Sequence, residues 1–293
     1  MEQAKIRYSH INLTINKIAT IVSLSFMATT IIYLFRRGLP DNVANNPLVS
    51  NLWALSLGQA IPFIFLMFIV TTFNKSKLVK WLNQICNKNA IYTIGIISLI
   101  ACLTLTITEV KGIWWTWMSM GIIIATTVLI VARTEKIIMP IESIILACGI
   151  TSLWRGLWEI PYQFGLKLMY DLPQSQITTE TVIQMLSYEV LAEIPLVLGG
   201  ILIIWYYHDK YKGLITFNKY FVGFFSAYIL LTILWFVLGF WVDIYYDWGE
   251  LKWYYTSSFN KMAMFIYKSS KLAMILSFIS LVNKKKNLIR KEQ

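Results

Sequence analysis

Four charged side chains sit in stretches that otherwise hold almost no charge. Glu189 and Glu193 fall in the apolar run 185–206, and Lys268 and Lys271 in the run 262–282. On a helix, residues three or four apart share a face, so each pair stacks as a doublet. Ionisable groups are costly in hydrocarbon and turn toward a bundle interior, where they find partners. At a rise of 1.5 Å per residue, Glu189 and Lys268 lie about 6 and about 9 Å from the ends of their runs; Glu193 and Lys271 lie about 12 and about 13.5 Å in. The matching depths predict that the two helices face each other, Glu189 with Lys268 and Glu193 with Lys271. Two chemistries fit. One is an ion-pair cluster that fixes helix packing. The other is a polar cavity in which a lysine holds an anionic group and a glutamate relays a proton.

Arg155 and Glu159 open the stretch WRGLWEIPYQFG. They are spaced i, i+4 if a helix continues past Trp154, although Gly156 and Pro161 oppose that. Arginine grips phosphate or carboxylate bidentately, so the pair is a candidate interfacial clamp. It is equally readable as a surface pair of little energetic worth.

Other motifs exclude more than they include. The three cysteines, Cys86, Cys102 and Cys148, lack CxxC spacing, and the two histidines, His10 and His208, stand far apart. Neither a metal site nor a disulfide framework follows, and no cofactor is implied. Asp243 and Asp247 form a single DxxxD pair, too little for a magnesium–diphosphate site. There is no P-loop, GxGxxG or HExxH. The net charge of +11 comes from residues lying between apolar blocks, where they act on topology rather than on nucleic acid.

The elements that must position these side chains follow from composition. Of 293 residues, 57% are hydrophobic and 14% charged, against about 25% charged in soluble domains. A hydrocarbon core about 30 Å thick needs about 20 helical residues. Eight stretches qualify: 18–35, 52–73, 90–108, 113–132, 137–154, 185–206, 220–242 and 262–282. Backbone groups in lipid must satisfy one another, and the blocks do not alternate as barrel strands do. The expected fold is all-α, a polytopic transmembrane bundle of about eight helices forming one membrane domain over 1–293. The first stretch follows Lys5, Arg7 and Lys17 but lacks a small-residue cleavage site, so it reads as an uncleaved span.

With the amino terminus in the cytoplasm, seventeen of the 26 basic residues fall in cytoplasmic segments and six in outer ones. This bias predicts both termini inside a cell membrane, with 283–293 as a basic cytoplasmic tail. The longest connection, 155–184, is then an extracytoplasmic, interfacial loop. Of 12 tryptophans, nine fall at the outer interface and only Trp81 and Trp205 near the inner one. An aromatic belt occupies both interfaces. The imbalance marks the outer face as a surface for an extracytoplasmic protein or a lipid-like ligand.

Three functions remain open. The first is a transporter or permease using the Glu189–Glu193–Lys268–Lys271 cluster. The second is an anchor or structural subunit presenting the aromatic outer face. The third, ranked last, is an enzyme acting on a lipid or isoprenoid there. Beyond the bilayer and such an outer-face ligand, no partner is implied, and no nucleic acid.

Overall fold

A computed structural model describes residues 60–73, 75–108, 114–166, 168, 178–245 and 258–283. The expected span 18–35, the basic tail beyond Asn283, Asp247, and Trp53, Trp248 and Trp253 lie outside the described residues. Within them the chain is all-helical, with one isolated antiparallel bridge, Ile215 to Val282.

The helices are α1 (Ala60–Thr72), α2 (Lys77–Ile85), α3 (Lys88–Ile107), α4 (Trp114–Thr134), α5 (Pro140–Leu166), α6 (Thr179–Lys210), α7 (Lys219–Tyr245) and α8 (Ser258–Leu281). Four stretches are long and apolar enough to cross a membrane: Lys88–Ile107, Trp117–Thr134, Lys219–Leu238 and Met262–Leu281. They match the third, fourth, seventh and eighth expected spans. Of the second, only the part forming α1 is described.

Local chemistry sets the helix starts. Ser76 caps α2 by accepting from the Val79 N–H at 3.3 Å. Asn87 caps α3 by accepting from Ala90 at 2.9 Å. Asn218 accepts from the N–H groups of Tyr220 and Phe221, both at 3.0 Å, and so starts α7. Pro140 opens α5, where its missing N–H costs nothing. Thr178 and Thr181 cap α6 reciprocally: Thr178 Oγ1 accepts from the Thr181 N–H at 3.2 Å, and the Thr178 N–H donates to Thr181 Oγ1 at 2.9 Å.

Two boundaries differ most from the sequence reading. Helix α5 does not stop at Trp154 but runs on to Leu166, and α6 begins at Thr179 rather than at residue 185. Much of the expected loop 155–184 is therefore helix. The threonine box explains the early start of α6. The survival of α5 past Pro161 has a specific cause. Proline has no N–H to give the carbonyl four residues back. Here that carbonyl, on Leu157, accepts from the Tyr228 hydroxyl at 3.1 Å.

The chain divides into two compact units. The first contains α1 to α4, residues 140–153 of α5, residues 195–210 of α6, and the turn that follows. In it α3 packs along α4. Ile64, Met67 and Val70 bury one face of α1. Between residues 141 and 153 nearly every side chain of α5 is buried, so this segment is surrounded by protein. It meets α6 at glycines. A Cβ on Gly200 would stand 2.7 Å from the Gly149 carbonyl oxygen and 2.8 Å from the Leu153 nitrogen. The two backbones thus touch, as small residues allow in apolar bundles.

Gly213, at φ 78°, turns the chain after α6. Leu214 then accepts from the Asn283 N–H at 2.7 Å, and Arg133 donates to the Val282 carbonyl at 3.1 Å.

The second unit contains residues 154–194 and 216–281. Helix α7 packs along α8, whose buried stripe is Ala263, Ile266, Tyr267, Ser270, Met274, Ser277, Phe278 and Leu281. The opposite stripe of α8 is exposed: Met262, Phe265, Lys268 and Leu272. Where the chain turns into α7, the Thr216 N–H donates to the Leu281 carbonyl at 2.9 Å and Asn218 Nδ2 to the Ser280 carbonyl at 2.7 Å.

Candidate functional site

The second unit gathers most of the ionisable residues singled out from the sequence. Because α5 continues, Arg155 and Glu159 sit one turn apart on a true helix. Arg155 is exposed; Glu159 is half-buried and accepts from Gln163 Nε2 at 3.2 Å. On α6, Glu189 is buried and Glu193 half-buried. On α8, Lys271 is half-buried and Lys268 exposed.

An aromatic wall surrounds Lys271. Its Nζ lies 4.2 Å from the centroid of the Trp158 ring, close enough for a cation–π contact. Trp158 stacks on Tyr162 at 4.8 Å and meets Tyr267 at 5.1 Å; Tyr162 and Tyr267 are 4.6 Å apart. Trp235 closes the wall, 5.6 Å from Tyr267 and 6.0 Å from Tyr162. Gly165 admits it: a Cβ there would stand 2.8 Å from the Trp235 ring.

The charges that act on Lys271 are Glu159 and Arg155. Those that act on Glu193 are Glu159, Arg155 and Glu189. The Arg155–Glu159 pair on α5 thus joins Glu193 and Lys271 to one electrostatic neighbourhood. The cause is the same continuation of α5 that brings these two residues to the site. Of the other expected pair, Glu189 is buried on α6 and Lys268 is exposed on α8. One carboxylate oxygen, Glu193 Oε2, is buried and has no hydrogen-bond partner among the described residues. Groups of this kind are uncommon, because an unmade bond to a buried charge is costly.

Sequence reasoning undervalued a second cluster, in the first unit. Glu142, in the first turn of α5, is fully buried. Its Oε1 accepts from Lys210 Nζ at 2.5 Å and its Oε2 from the Tyr211 hydroxyl at 2.7 Å. The Lys210 ammonium lies 5.6 and 5.5 Å from the rings of Tyr206 and Tyr211. Tyr207, fully buried, stacks parallel to Tyr211 with ring centroids 6.3 Å apart. The overlooked signal was that WYYHDKY ends one apolar run and IES begins another. Both therefore sit at helix ends, where a carboxylate in a first turn and a cation in a last turn suit the helix dipoles.

No protein-family model matches the chain, and neither the curated proteins nor the solved structures contain a match to it.

Proposed function

We propose that the chain is a permease of the cell membrane, a bundle of about eight spans with both termini cytoplasmic. Its site is the neighbourhood of Arg155, Glu159, Glu193 and Lys271, on the same helices as Glu189 and Lys268. The observation that carries this reading is the buried, unpartnered Glu193 Oε2 beside three other coupled charges. A purely structural ion pair would use all its acceptors. A carboxylate oxygen left open beside a guanidinium is a place for a solute donor group or a proton. Arg155 and Lys271 would receive the solute's anionic end, and the wall of Trp158, Tyr162 and Tyr267 its apolar part.

The test is accessibility. Glu193→Cys, with Cys86→Ser to remove the half-exposed thiol, is probed in oriented vesicles with a membrane-impermeant thiosulfonate. A permease exposes residue 193 to reagent from the outer side and, in a second state, from the cytoplasmic side. Protection from both sides would reduce the cluster to packing and refute the proposal. The aromatic wall also favours a second reading, a site for a lipid-like ligand. In that case the same cysteine reacts from the outer side only.

A further inference from the structure

Helix α2 was not expected at all; its nine residues, KLVKWLNQI, read as part of a basic connection. It has three distinct faces. Val79, buried, and Asn83 point into the first unit, where Asn83 Nδ2 donates to Met139 Sδ at 3.5 Å and Asn83 Oδ1 accepts from the Ile141 N–H at 3.4 Å. Leu78, Trp81 and Ile85 form a second face. They recur at i, i+3 and i+7 and are 49%, 55% and 51% exposed. Lys77 and Lys80 form the third face, and Lys75 and Lys88 flank the helix; all four lysines are exposed. No aspartate or glutamate occurs anywhere from residue 60 to residue 108.

The position of α2 limits what can cover the apolar face. Its C-cap, Cys86, stands two residues before α3, which is one of the four helices apolar enough to span. A membrane-spanning α3 puts α2 at the level where the hydrocarbon ends. A short amphipathic helix with Trp and Leu on one face and lysines beside them suits the boundary between acyl chains and headgroups. Tryptophan and lysine are the side chains that settle there.

We infer that α2 is an in-plane anchor that binds the surface of anionic phospholipids, its Leu78–Trp81–Ile85 face among the acyl chains and its lysines on the headgroup phosphates. The inference rests on membrane insertion of α3 and is independent of the permease reading. It makes the seating of α2 responsive to lipid charge.

The experiment is hydrogen exchange on the full chain in nanodiscs. One set contains phosphatidylcholine alone and the other phosphatidylcholine with phosphatidylglycerol at three parts in ten. Each lysine near an anionic surface strengthens binding on the order of fivefold. Exchange of the α2 amides is therefore expected to slow by roughly tenfold or more in the anionic discs. The α4 amides, carried through the same measurement, should not change. Lys75→Gln, Lys77→Gln and Lys80→Gln together should abolish the difference while leaving α4 protected. Trp81→Ser should weaken protection in both lipids. Equal protection in the two lipids, or a difference that survives loss of the three lysines, would overturn the inference. Trp81→Ser without effect would show that protein covers the stripe, and would overturn it as well.

Discussion

Replacing Lys210 by methionine tests the reasoning about buried charge most directly. Glu142 is fully buried, and its only described partners are the Lys210 ammonium and the Tyr211 hydroxyl. The Lys210 side chain is itself only 19% exposed, so the pair is not a solvent-screened surface contact. Removing one partner of a buried pair costs about 3–5 kcal/mol, because the remaining charge is stranded. The remaining Tyr211 bond offsets part of this, since a hydrogen bond to a charged group contributes about 1.5–3 kcal/mol. Lys210→Met should therefore destabilise the chain by about 3 kcal/mol, at the lower end of that range. The double change Glu142→Leu with Lys210→Met removes both charges, and should recover most of the loss. Unfolding in mixed micelles of rising dodecyl sulfate fraction, followed by circular dichroism, measures all three proteins. If Lys210→Met costs under about 1 kcal/mol, as an exposed pair would, the cluster is hydrated and the argument from burial fails.

Two further outcomes follow from single contacts. Tyr228→Phe should strand the Leu157 carbonyl and cost about 1–3 kcal/mol. In a Pro161→Ala background, where residue 161 regains its N–H, the same change should cost much less; equal costs in the two backgrounds would show that the hydroxyl does not serve the proline gap. Burial pushes the Cys86 thiol up from its ordinary value. Only the thiolate reacts, so alkylation at neutral pH should be slower than for a free cysteine. The rate should still be rising with pH where the free thiol has levelled off. With the amino terminus inside, an impermeant maleimide should reach Cys86 in inside-out vesicles only; labelling from the outer side would reverse the orientation.

What could be read from the sequence was whatever depended on contact with lipid. α3 and α7 are largely exposed helices of nearly unbroken apolar residues, and their limits fall within two or three residues of those expected from the run of hydrophobicity. Helices wrapped in protein obey a looser rule. α5 tolerates a buried glutamate and an internal proline where neighbours supply the missing partners, as Lys210 and Tyr211 do at Glu142 and Tyr228 does at Leu157. Proline and glycine after Trp154 therefore misled about where α5 ends. That error in turn hid the fact that Arg155 and Glu159 belong to the neighbourhood of Glu193 and Lys271. The helical doublets were legible; that Lys268 is exposed while Lys271 is half-buried was not. The Glu142–Lys210 pair spans 68 residues, and nothing local to either announces the other.

The ties at the end of α8 carry a consequence for biosynthesis. The Leu214 carbonyl and the Thr216 N–H find their partners on Asn283 and Leu281, and Asn218 reaches Ser280. A ribosome delivers those partners more than sixty residues later. Until they emerge, the turn between α6 and α7 is held by local ties such as Leu214 N–H to the Tyr211 carbonyl and His208 to the Ile215 carbonyl, with the Leu214 carbonyl and Thr216 N–H open. Synthesis of residues 280–283 is thus the event that latches this corner. A nascent protein cut short before residue 280 would present an unfinished turn to the machinery that inspects new membrane proteins.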